Sequence, residues 1–90
     1  MRAIITVVGK DKVGIIYQVT KVLAENQVNV LDISQTVMGE DMFTMAMWVD
    51  ASKSSTDFQE LISLFEELGK KIGVSIRLQR EEIFDAMHKI

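Results

Sequence analysis

The segment from Val28 to Val49, VNVLDISQTVMGEDMFTMAMWV, reads as two strands joined by a short polar turn. Its first half alternates, with Leu31, Ile33 and Val37 on one side and Asp32, Ser34 and Thr36 on the other. That period of two marks a strand covered on one face only. Gly39, Glu40 and Asp41 carry turn chemistry and predict a hairpin. The return strand is apolar on both sides, Phe43, Met45, Met47 and Val49 opposing Met42, Ala46 and Trp48. A strand apolar on both sides belongs inside a sheet.

The chain on either side of this hairpin completes the plan. Arg2 to Gly9 is a second doubly apolar strand, with Ile4, Ile5, Val7 and Val8 around Thr6. From Val13 the period changes to that of a helix: Ile15, Ile16, Val19, Val22 and Leu23 share a stripe, while Gln18, Lys21 and Glu25 face away. Asn26 and Gln27 close it. After the hairpin, Asp50 to Ser55 is polar, and Ser54 or Thr56 is expected to cap a helix. Phe58, Leu61, Ile62, Phe65, Leu68 and Ile72 hold helical spacing up to Gly73, a C-terminal cap by residue type. Val74, Ile76 and Leu78 then alternate with Ser75, Arg77 and Gln79 in a last strand.

The order strand, helix, strand, strand, helix, strand predicts an α+β, ferredoxin-like βαββαβ sandwich. Two right-handed crossovers place the first and third strands at the centre of a four-stranded antiparallel sheet, with both helices on one face. The doubly apolar strands are the first and the third, as that topology requires. The other face of the sheet then holds Ile4, Val8, Met42, Ala46 and Trp48, or their neighbours. Residues 1–80 form this one domain. Residues 81–90 form an amphipathic tail in which Ile83, Phe84, Met87 and Ile90 make one stripe, expected to dock on the sheet or on a partner subunit.

Composition narrows the function classes. Ninety residues make one small domain, and a chain this size buries only roughly two thirds of its unfolded surface. Almost half of it, 48%, is apolar, which points to surface shared with another subunit. A net charge of −3 argues against nucleic acid as the main partner. Phe43 and Trp48, on opposite sides of one strand, do not form a base-stacking platform either. No run has the length of a membrane span, no signal-peptide layout opens the chain, and a cytoplasmic location is the expectation. There is no cysteine, and the single histidine, His88, has no partner at metal-ligand spacing, so neither a metal nor a cofactor is expected.

The loop in ITVVGKDKVGIIYQV, Ile5 to Val19, is where chemistry is sought. It matches neither phosphate-binding glycine pattern. On residue types alone, Gly9 permits a turn and Gly14 a close helix approach. The loop also resembles in part that of acylphosphatases, through Val7, Gly9, Gly14 and Tyr17. Gln18 stands where that loop needs an arginine, and a neutral amide cannot grip a phosphate bidentately. The hydrolase reading remains only as a distant alternative.

With the elements assigned, VVGKDKVGII is similar to the first strand, loop and helix of an ACT domain, whose loop has the form D-x-P-G-[IV]. Asp11, Gly14 and Ile15 match it, and Val13 replaces its proline. NQVNVLDI resembles the family's lead into the second strand, with Asn29 at the family's asparagine. The chain is similar overall to small bacterial single-ACT-domain proteins, akin to the ACT regions of the glycine-cleavage repressor and formyltetrahydrofolate deformylase. The resemblance implies a non-catalytic regulatory module that binds a small ligand, an amino acid, at the interface of a homodimer or larger oligomer. It places the ligand between Gly9, Asp11, Val13, Gly14 and Ile15 of the loop and Asn29, Val30 and Leu31 of the second strand. A ligand-free scaffold that recruits an enzyme or repressor is the rival reading.

Overall fold

In the computed structural model, which describes residues 1–10 and 14–82, the six predicted elements appear in the predicted order. Strand β1 is Arg2–Lys10, helix α1 Ile15–Glu25, strand β2 Asn29–Met38, strand β3 Met42–Asp50, helix α2 Phe58–Ile72 and strand β4 Val74–Arg80. The sheet is antiparallel with order β2-β3-β1-β4, so β1 and β3 are central and β2 and β4 are edges. Residues 83–90, and with them the expected amphipathic stripe, lie outside the described residues. Glu81 and Glu82 are described and are helical.

One face of the central strands makes the core. Ala3, Ile5 and Val7 of β1 pair in register with Val49, Met47 and Met45 of β3, and all six are buried. Ile15, Val19 and Leu23 of α1 and Leu61, Phe65 and Leu68 of α2 close over them. Ile76 and Leu78 of β4 complete the layer. Burying a side chain of this size contributes roughly 1.5–3 kcal/mol, and this single cluster is what holds the two helices to the sheet. Ile16, predicted on the same stripe, is instead exposed. It follows Ile15 directly, and neighbours on a helix are turned about 100° apart, so only one of the two reaches the core.

The helix N-caps depart from expectation. Asp57, not Ser54 or Thr56, caps α2, its carboxylate accepting the Glu60 N–H at 2.9 Å. Ser54 and Thr56 are committed elsewhere: the Ser54 hydroxyl donates to the Thr56 carbonyl at 2.7 Å, and the Thr56 hydroxyl donates to the Asn26 side-chain oxygen. At the other end of α2, Gly73 takes the left-handed conformation, φ 78°, and its N–H donates to the Gly69 carbonyl at 2.8 Å.

The strand expected to be covered on one face also behaves differently. Along β2, Val30, Leu31, Ile33 and Val37 are all exposed. Ile33 and Val37 pair with Met47 and Phe43 and so point to the helix side, but β2 lies at the sheet's border, outside the cover of the buried helical side chains. A register shift between Val30 and Asp32 inserts Leu31 as an extra residue, so it does not share their phase. No helix among the described residues is long and apolar enough to cross a membrane.

Candidate functional site

The loop end of the molecule is set by two glycines. Gly9 is not in a turn: it is extended within β1 and paired with Phe43 and Val74. A Cβ there would meet Cγ1 of Val74 at 2.6 Å, so glycine allows β4 to pass close. Gly14 supplies the turn. It is the N-cap of α1 with φ 87°, and a Cβ there would have nothing within 4 Å. The roles that residue type suggested for these two glycines are therefore exchanged.

Gly14 delivers the chain into α1 with the first-turn amides leading. The Gln18 N–H returns to the Gly14 carbonyl at 2.9 Å, closing the first helical turn. Helix-start amides before that turn have no intrahelical acceptor, and they carry the positive end of the helix dipole. The first turn of α1 contains no acidic side chain to offset it. Ile15 is buried in the core and fixes the turn in place. Asp11 and Val13, the other loop residues expected at the site, lie outside the described residues.

Asn29, Val30 and Leu31 are at the opposite end of the sheet. Asn29 begins β2 and stands in one row with Asp50 and Arg2, whereas Gly9 stands in one row with Phe43 and Val37. At about 3.3 Å per residue, these rows are roughly 25 Å apart. A single chain thus brings together Gly9, Gly14 and Ile15, and separately Asn29, Val30 and Leu31, but not the two groups.

The Asn29 end has neighbours that sequence reading missed. A cavity of about 210 Å³ is lined by Gln27, Asn29, Asp50, Ser52 and Lys53. The Ser52 N–H donates to Asp50 Oδ1 at 2.9 Å, and this bond lowers the Asp50 carboxyl from its ordinary value. Gln27 turns the chain with a positive φ of 59°. Lys53 adds a cation, and Asn29 offers both a donor and an acceptor. The available signal was the Asp50-Ala51-Ser52 spacing, which suits an aspartate-to-amide turn.

Exposed apolar side chains lie along the same edge. Ile33 is 43% and Val37 55% exposed on β2, and Val30 and Leu31 of the same strand are exposed as well. Monomeric proteins rarely leave several large apolar residues of one edge in water.

Comparison with known proteins agrees with this architecture. A UPF0237 protein of Neisseria meningitidis serogroup B is 57% identical over 88 residues, 98% of this chain and 97% of that protein. The structure of an ACT domain protein from Streptococcus pneumoniae is similar at a TM-score of 0.80 and 46% identity, covering 98% of both chains. The regulatory subunit of aspartate kinase from Thermus thermophilus is similar at a TM-score of 0.65 and 30% identity, over 87% of this chain and 50% of that one. The ACT domain family profile matches residues 2–79, and the chain belongs to that family.

Proposed function

We propose that this protein is a non-catalytic regulatory module that binds a small amino-acid-like ligand at a homodimer interface. The observation that carries the reading is the uncovered apolar edge on β2, formed by Val30, Leu31, Ile33 and Val37. Two such edges pair antiparallel across a two-fold axis into one continuous sheet. Centred on Ile33, this pairing sets Asn29 of one protomer opposite Val37 of its partner, and Val37 shares a row with Gly9. The two halves that a single chain holds apart then meet, twice per dimer. Amides at Gly14 and Ile15 suit a carboxylate, Asp11 and loop carbonyls suit an ammonium, and Asn29 across the interface suits either. The likeness to a regulatory subunit of aspartate kinase supports the regulatory class. A location in the cytoplasm belongs to this reading, as does a regulated enzyme or repressor as protein partner.

A thermal-shift screen of the standard amino acids and common cofactors tests it. A ligand at about 100 times its dissociation constant adds roughly 2.7 kcal/mol of stability. That gain should vanish in Asn29→Ala and in Asp11→Ala. If no compound raises the melting temperature of a dimeric sample, the ligand-free scaffold reading replaces this one, and turnover of an acyl phosphate would replace both.

A further inference from the structure

The face of the sheet turned away from α1 and α2, helix-free in that sense among the described residues, is not uniform. Its rows, taken across β2, β3, β1 and β4, are Asp32, Trp48, Ile4 and Gln79; then Ser34, Ala46, Thr6 and Arg77; then Thr36, Thr44, Val8 and Ser75. Apart from Arg77 at the β4 edge and Val8, the middle and far rows are small or hydroxylated, and Val8 is 40% exposed. Four residues earlier on the same strand and the same face, Ile4 is only 1% exposed. Its register neighbour Trp48 is half-buried. Neither helix lies on this side, and Ile4 is not part of the core cluster.

The chain leaves β4 at that end of the sheet and turns toward that face. Arg80 pairs with Ala3 on the helix side, its guanidinium over the Phe58 ring at 5.5 Å. The next residue, Glu81, reaches the other side: its carboxylate is 3.0 Å from Nε of Arg2, which shares the face of Ile4. Glu81 and Glu82 are already helical. Eight residues follow, of which Ile83, Phe84, Met87 and Ile90 form one apolar stripe. Ile4 and Trp48 lie one and two strands in from β4, roughly 5 and 9 Å away at about 4.7 Å per strand, within reach of a helix that rises about 1.5 Å per residue over this stripe.

The geometry points to residues 83–90 as a strap that lies across the strands of their own sheet, seating the apolar stripe on Ile4 and Trp48. The strap closes the apolar end of the helix-free face and leaves the hydroxyl rows around Thr6 and Thr44 open. Association through the β2 edge does not depend on it.

The chain supplies its own reporter, since Trp48 is its single tryptophan, and it has no cysteine to interfere with labelling. In the full-length protein, Phe84→Asp should shift Trp48 emission to the red and steepen its quenching by acrylamide, with the far-UV spectrum retained. Independently, a nitroxide attached at Met87→Cys should quench Trp48 strongly, and dilution should leave that quenching unchanged. Unquenched Trp48 in the labelled protein overturns the proposal, whether or not the Phe84 variant folds. Labelled chains that carry Trp48→Phe, mixed with unlabelled wild type, should leave wild-type emission intact. Quenching in that mixture overturns the proposal in favour of a strap exchanged between protomers.

Discussion

A methyl group added at Gly9 would sit 2.6 Å from Cγ1, 2.9 Å from Cβ and 3.2 Å from Cα of Val74. The last of these atoms is backbone, so a rotamer change of Val74 cannot relieve the clash. Gly9→Ala should therefore destabilise the fold by about 1–3 kcal/mol, the usual cost of overpacking. Gly14→Ala meets no neighbour but keeps a left-handed backbone, which costs about 1–2 kcal/mol for a residue with a Cβ. Urea unfolding separates the two mechanisms. Val74→Ala should restore part of the loss in the Gly9 variant and none in the Gly14 variant; equal behaviour in both would sink the distinction. Sequence alone marked both residues as special but assigned their roles the wrong way round. The register of β1 against β4 decides the matter, and it is a long-range fact: Gly9 pairs with Val74 across most of the chain.

At the scale of elements, α2 was legible because its signals are local. Phe58, Leu61, Ile62, Phe65, Leu68 and Ile72 keep helical spacing, and Gly73, a C-terminal cap by residue type, does end the helix in the left-handed conformation. What was not legible was the choice among Ser54, Thr56 and Asp57 as the cap. The sequence offers three suitable oxygens; a tertiary bond to Asn26 takes that of Thr56, and a local turn with Thr56 takes that of Ser54. Thr56 donates its hydroxyl to Asn26, whose own side-chain amide donates to the Val22 carbonyl at 2.8 Å, while the Ser55 N–H donates to the Asn26 carbonyl at 3.1 Å. The loop before α2 is thereby tied to the end of α1, and Asp57 is left to cap. Asp57→Ala should cost about 1 kcal/mol, seen as a lower urea midpoint at unchanged slope, with Asp57→Asn much closer to wild type. A neutral result for Asp57→Ala, or an equal loss for Ser54→Ala alone, would mean the cap is elsewhere.

For the molecule as a whole, the alternation in β2 placed Ile33 and Val37 on one side but missed the register shift that takes Leu31 out of phase, and alternation cannot say what covers that side. The ordering of doubly apolar strands put β2 at an edge, and the proposed function takes that apolar edge as the surface a second chain covers. A two-fold axis through the strand opposes one residue to its own copy, and in the pairing proposed above that residue is Ile33. Ile33→Asp would then set two carboxylates face to face, where like charges destabilise a sheet directly. In a lone protomer the same change costs little, since Ile33 is already 43% exposed. Sedimentation should accordingly show the Asp variant as a folded monomer at concentrations where wild type is a dimer, and its amino-acid-dependent thermal shift should disappear with the dimer. Ile33→Lys should behave alike. Mixing the Asp and Lys variants should restore a dimer, because the axis position then holds opposite charges, and raising the salt should weaken that mixed species. Two single variants that sediment as wild type would remove Ile33 from the axis. A mixture that stays monomeric would show that the edges do not pair in this register.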